Sequence, residues 1–240
     1  MKQFLIKYLG AVKLFFGFYK KVEFNDLTRI QPVSRLFGID RGKPIDRYYI
    51  ENFLSAHSND IRGRILEVAE DTYSRKFADT KSNEVPVFET LHFDGSGKPS
   101  TFTGDLTNPA SLPENRYDCF ICTQTYNFIY DVRQAIAGTY HLLKNEGIVL
   151  ATVAGISQVS RYDMDRWGDY WRFSTQSALK LFEDVFGNGN VEIVTFGNVL
   201  AATALLQGLA VEDLPDQSLL DDVDPDYPVI IGVKAKKLVR

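Results

Sequence analysis

Apolar residues along this chain alternate between two periodicities. Continuous apolar runs read as strands: RILEVA at 64–69, VPVFETLHF at 85–93, STFTGDL at 100–106, YDCFICT at 117–123 and GIVLATV at 147–153. Helical spacing takes over between and around them. Tyr49, Phe53 and Leu54 place a helix in 46–57. Val132, Ile136, Tyr140 and Leu143 place another in 131–144, with Gly147 shortly after as a stop signal. The remainder predicts a helix near 175–186 capped by Ser174, a strand at 191–196, a helix from about 198 to 209 and a last strand at 228–236. Continuous apolar strands alternating with helices imply a mostly parallel sheet covered on both faces. The expected fold class is therefore α/β, one doubly wound domain over 46–240.

Ahead of it, the first 21 residues carry a different pattern. At 100° per residue, Phe4, Tyr8, Leu9, Val12, Phe15, Phe16, Phe18 and Tyr19 share one half of a helical wheel. Lys2, Lys7, Lys13, Lys20 and Lys21 share the other, with no acidic residue among them. The lysines interrupt the apolar run and no small-residue cleavage site follows, which argues against a signal peptide. An amphipathic helix of this kind lies on an anionic membrane surface or covers protein. Residues 23–45, with Pro32, Gly38, Gly42 and Pro44, read as an irregular connection, so that 1–45 is expected as an N-terminal extension.

Composition narrows the partners. With 240 residues, 45% hydrophobic and 24% charged, and a formal charge of −4, the chain is an ordinary globular protein without the basic surface that nucleic-acid binding needs. No uncharged apolar run approaches the roughly 20 residues that span a bilayer. Two cysteines form no disulfide framework, which suits a cytoplasmic location, peripheral to the inner face of a membrane if residues 1–21 bind one. Cys119 and Cys122 form a CxxC, but three residues apart on a strand they face opposite ways, so no metal is expected there.

In a doubly wound sheet, ligands bind beyond the carboxyl ends of the central strands. Glu70, Asp71, Thr72 and Tyr73 follow the first strand, and Glu89 and His92 belong to the second. Asp105 closes the third, and Gln124, Thr125, Tyr126 and Asn127 follow the fourth. Beyond the fifth comes GISQVSRYDMDRWGDYWRFS, which holds both tryptophans of the chain. Its aromatic faces, carboxylates and arginines suit a sugar, by stacking plus fixed hydrogen bonds. Arg161, Tyr162, Trp167, Tyr170 and Arg172 are the candidate substrate contacts. Asp163 and Asp169 are the candidate bases for an acceptor hydroxyl.

Three pieces in order, ILEVAEDTY, FTGDLTNPASLPENRYDCFICTQTYNFIYD and AIAGTYHLLKNEGIVLATVAG, resemble the class I S-adenosylmethionine-dependent methyltransferases over roughly residues 46–196. The resemblance implies a Rossmann-like domain with an antiparallel last strand, and S-adenosylmethionine as cofactor. It also implies roles. Glu67 would organise the cofactor's methionine end, Glu89 would accept the ribose hydroxyls, Asp105 would sit near the adenine amino group and Leu106 against the ring, with Gln124 beyond the fourth strand. GDYWRFS further resembles methyltransferase-like proteins of glycan and exopolysaccharide clusters, which implies O-methylation of a sugar or glycan acceptor. The departure from the family lies in its acid–x–Gly–x–Gly–x–Gly motif. Here it reads Glu67–Val68–Ala69–Glu70–Asp71–Thr72–Tyr73, with Ala69, Asp71 and Tyr73 in the glycine positions. That substitution keeps a second function class open, a methyltransferase-like binding or scaffold module without cofactor. A nicotinamide oxidoreductase would need GxGxxG, which is absent.

Overall fold

A computed structural model describes residues 28–79, 85–94 and 102–238. The amphipathic segment 1–21 lies outside the described residues. The chain divides into a short unit, Met1–Pro32, and a large one, Val33–Arg240. Within the large unit, residues 33–44 are fastened to the stretch 207–213. Val33 N–H donates to Gln207 O at 2.8 Å, Pro44 bridges Ala210, and Arg41 grips the carboxylate of Asp213 through two bonds of 2.7 Å.

The large unit carries a seven-stranded sheet: β1 (Arg64–Val68), β2 (Val87–His92), β3 (Phe102–Thr103), β4 (Tyr117–Thr123), β5 (Leu143–Ala154), β6 (Val191–Phe196) and β7 (Ile230–Lys236). The order across the sheet is β3-β2-β1-β4-β5-β7-β6. β3 through β5 run parallel, and β7 runs antiparallel to both β5 and β6. The sheet is thus doubly wound with a reversed strand near one edge, as expected, and its strand order switches between β1 and β4.

Successive strand residues point to opposite faces, and each face has its own core. Leu66, Phe120, Cys122, Val149 and Ala151 pack under α3 (Val132–Leu142) and α5 (Thr175–Phe186). Ile65, Cys119, Ile121 and Leu150 pack under α1 (Ile45–Ala56) and α6 (Val199–Gln207). Cys119 and Cys122 are therefore buried on opposite faces. α1 buries Ile45, Tyr49, Ile50, Phe53 and Leu54, a stripe one helical face wide. A capping box between Ser174 and Ser177 starts α5.

Three elements differ from the sequence expectation. The helix expected to run to 144 stops at Leu142, because Leu143 turns extended and pairs with Tyr117, lengthening β5 at its start. Of the run 100–106, Phe102–Thr103 form a strand, and Asp105 then accepts from Thr107 N–H and ends the run in a turn. Two short helices, α2 (Thr72–Phe77) and α4 (Arg161–Met164), stand where the sequence read loop. They are too short, at six and four residues, to carry a helical period that can be read from sequence.

The turn after β3 lies against α3 at closest approach. A Cβ on Gly138 would come within 2.0 Å of the Leu106 carbonyl oxygen, which is backbone and cannot swing aside. Gly138→Ala should therefore lower unfolding stability by about 1–3 kcal/mol, the ordinary cost of overpacking, as read from urea denaturation.

Candidate active site

β1 ends in a buried acid. Glu67 is only 4% exposed, and its carboxylate accepts from the backbone N–H groups of Tyr73 at 3.1 Å and Ser74 at 2.7 Å. It thereby satisfies two of the donors that open α2, a charge-assisted capping made from the strand side. Burial pushes its carboxyl above the ordinary range, and the Ser74 and Tyr73 bonds pull against that shift.

Between Glu67 and α2 the backbone turns sharply. Ala69 has φ of 69°, and Glu70 N–H donates back to Val68 O at 2.9 Å, closing a three-residue turn. Ala69 N–H donates to Leu91 O at 2.9 Å, and Nε2 of His92 lies 2.8 Å from Ala69 O. At the end of β4, Gln124 is also left-handed, with φ of 48°, and its N–H donates to Thr152 O at 2.8 Å. Two non-glycine residues in this rare region thus flank the switch point.

Tyr73 does not lie over this turn. Its ring stacks on Phe77 with centroids 6.3 Å apart, packs with the core beneath α1 and faces Arg47 of that helix. The bulkiest of the three glycine replacements is thus turned toward α1.

Of the other expected cofactor residues, Asp105 lies just past β3, where its Oδ1 accepts from Thr107 N–H and Oγ1, both at 2.8 Å. Leu106 is buried in the core under α3. Glu89 is not at the carboxyl edge. It pairs with Leu66 in the register and is gripped by Arg64, by Arg116 at 2.8 and 3.1 Å, and by Tyr117 Oη at 2.6 Å. Arg64 opens β1 and Arg116 precedes β4, so this cluster belongs to the amino side of the sheet. Burial raises the Glu89 carboxyl, but Arg116, Tyr117 and Arg64 outweigh it and hold the group below its ordinary value. Glu89, expected at the ribose, thus turns away from the carboxyl edge where a cofactor would lie. The acid that follows the carboxyl end of β2 is the exposed Asp94, which the sequence reading missed by closing the strand run at Phe93.

The segment after β5 is held as a folded loop. Asp169, whose side chain is fully buried, accepts two bonds from Arg172 at 2.6 and 3.0 Å and one from Ser160 N–H at 2.8 Å. Arg172 also donates to Gln158 O and to Ser157 O. Burial raises the Asp169 carboxyl, yet Arg172 and the Ser160 N–H prevail and hold it below the usual carboxylate range. Asp163 caps α4 with Ser160 and accepts from Trp167 Nε1 at 3.1 Å. Both expected bases are thus committed to loop architecture, and neither is assigned as a base.

Among the candidate substrate contacts, Arg161 pairs with Asp165, and Tyr162 lies under the guanidinium of Arg166, 3.5 Å from its ring centroid. Tyr170 meets Tyr130 edge-on at 5.4 Å, and Trp171 stacks on the same ring at 6.1 Å. Tyr130 was not singled out from the sequence, because it stands 40 residues from Tyr170 in the chain. Asn127 joins them to the sheet: its backbone oxygen accepts from Tyr170 and Trp171, and its Oδ1 accepts from Ala154 N–H at the end of β5. Beside this aromatic group lies a cleft of about 510 Å³, lined by Tyr130, Val132, Arg133, Trp171, Phe173 and Lys180, among others. Among the described residues, no group of His, Cys, Asp and Glu is placed to hold a metal, and no helix is long and apolar enough to cross a membrane.

No protein-family model and no curated protein matches this chain. Solved structures do match. A SAM-dependent methyltransferase from Archaeoglobus fulgidus aligns over 80% of this chain and 94% of its own, at 12% identity and TM-score 0.50. An S-adenosylmethionine-dependent methyltransferase from Mesorhizobium loti aligns over 83% and 100%, at 12% identity and TM-score 0.51. The fold is that of the class I SAM-dependent methyltransferases. The [4+2]-cyclase SpnF has it too, aligning over 88% and 89% at 15% identity and TM-score 0.51, so this methyltransferase fold alone does not name a reaction.

Two outcomes follow for the loop after β5. Arg172→Ala should cost about 1.5–3 kcal/mol, a charged hydrogen-bond partner lost from a buried carboxylate. It should also expose residues 155–173 to limited proteolysis while the rest of the domain resists. The depressed Asp169 carboxyl adds a pH signature. Its stabilisation is complete above the unfolded value near pH 4 and is lost as pH falls through the lower folded value, so Asp169→Asn should flatten the acid limb of the stability profile.

Proposed function

We propose that this chain is an S-adenosylmethionine-dependent methyltransferase acting on a hydroxyl of a sugar or glycan-related acceptor. The observation that carries the reading is the turn at Ala69. It takes the left-handed backbone that the family's first glycine would supply, beside the buried Glu67 and at the switch in strand order. Tyr73, turned to α1, is compatible with a ligand there, so the residues present fit the cofactor.

Ala69 and its neighbours would carry the methionine end, Asp94 the ribose hydroxyls, Asp105 the adenine side, and Gln124 the wall from β4. When bound, the cofactor supplies a methyl group already activated on a sulfonium. What remains for the chain is to align the acceptor and exclude water. The loop after β5, fixed by Asp169 and Arg172, would set that alignment from above the ends of β4 and β5. Tyr130, Tyr170 and Trp171 offer stacking faces for a sugar ring, with the adjoining cleft for its substituents. GDYWRFS supports the glycan reading by its resemblance.

Calorimetric titration with S-adenosylhomocysteine should give Kd below about 100 μM. Asp94→Ala should weaken it by about tenfold, and Glu89→Gln should lower stability while leaving affinity in place. No heat and no thermal shift with either the cofactor or its demethylated product would contradict the reading and return the chain to the class of binding modules.

A further inference from the structure

Alanine in the left-handed region is strained relative to its ordinary conformations, where glycine adopts the same backbone freely. A turn closed by the N–H two residues on from its acceptor, with positive φ at its centre, is itself the rare and strained form. Ala69 has both features: φ of 69°, and the Glu70 N–H to Val68 O bond of 2.9 Å across it. Such a conformation persists only where its surroundings over-determine it.

The surroundings are three. Upstream, Val68 is the last residue of β1, aligned with Leu91 of β2. Downstream, the Glu67 carboxylate holds Tyr73 N–H and Ser74 N–H, fixing where α2 begins. At the centre, the two polar groups of Ala69 itself are both taken by the end of β2: its N–H by Leu91 O at 2.9 Å, and its carbonyl by the imidazole of His92 at 2.8 Å. A carbonyl only accepts, so Nε2 of His92 must carry the hydrogen and donate it. His92 is anchored on its other side as well, since its own carbonyl accepts from Gly104 N–H at 2.8 Å beyond β3.

We propose that His92 is the positioning residue that replaces a glycine in this loop. Its ring clamps the Ala69 carbonyl and so holds, by an added bond, the backbone that glycine would hold by its lack of a side chain. Its effect on cofactor affinity rests on the methyltransferase reading above; the clamp itself does not. The clamp predicts a dependence specific to Ala69: His92 matters while position 69 bears a Cβ and ceases to matter when it does not.

The test is a four-way cycle of wild type, Ala69→Gly, His92→Ala and the double variant, each titrated with S-adenosylhomocysteine and melted without ligand. His92→Ala should weaken affinity by about tenfold, and the double variant should bind within about threefold of wild type. In the ligand-free melts, His92→Ala should lower Tm in the wild-type background and leave it nearly unchanged in the Ala69→Gly background. Equal losses in the two backgrounds, or no loss in either, would overturn the clamp. If wild type binds no S-adenosylhomocysteine, the cofactor reading and the positioning role fall together, and the melts alone decide whether His92 restrains the turn.

Discussion

A carboxylate drawn out of water into the floor of a sheet has to find donors, and Glu67 finds them in the first turn of α2. Its two oxygens accept from consecutive backbone N–H groups, and the favourable field of a helix N-terminus adds to those bonds. Burial of the charge is unfavourable, as the upward shift of its carboxyl records, so the arrangement holds only while α2 keeps that position. One side chain therefore fixes both where β1 stops and where α2 starts. The short link between them, residues 69–71, has little room to vary, and the sharp left-handed turn at Ala69 is the consequence. Everything assigned to the carboxyl edge depends on that turn being held.

The same edge is braced from three further directions. β2 reaches over with Leu91 and His92, β4 contributes the left-handed Gln124 tied to Thr152 of β5, and the loop after β5 is fastened through Asn127. Hydrogen bonds to backbone are the common device. They fix the backbone at the carboxyl ends of β1 and β4, where the strand order switches. The buried Asp169 with Arg172 performs the corresponding task in the loop after β5, holding the segment that brings Trp171 beside Tyr130.

Much of the fold was legible in the sequence because both faces of the sheet are covered. Buried strands such as YDCFICT and GIVLATV are then continuous apolar runs, and the stripes on α1 and α3 have an unambiguous period. α2 was hard to read: TYSRKF offers a single pair at helical spacing, Tyr73 and Phe77, and its start is set by Glu67, seven residues before Ser74. At the site, sequence placed Glu67, Ala69, Asp105 and Gln124 near strand ends, where they stand. It misplaced Glu89, since a polar letter inside a strand does not reveal which end its carboxylate seeks. Arg64 at the start of β1 and Arg116 just before β4 decided that. Asp163 and Asp169 looked catalytic because acids among aromatics often are, but here each answers first to its nearest donors. Tyr130 belongs to the aromatic group only through the fold.

On the proposed reading, a glycine-less loop held by Glu67 and the end of β2 forms a cofactor crevice between β1 and β4. A crystal structure of the full chain with S-adenosylhomocysteine tests it most directly. Ligand should lie in that crevice beside Asp94 and Asp105, with Ala69 still left-handed and the Tyr73 ring still against α1. A ligand seated elsewhere, or a Tyr73 ring swung into the crevice in its place, would contradict it.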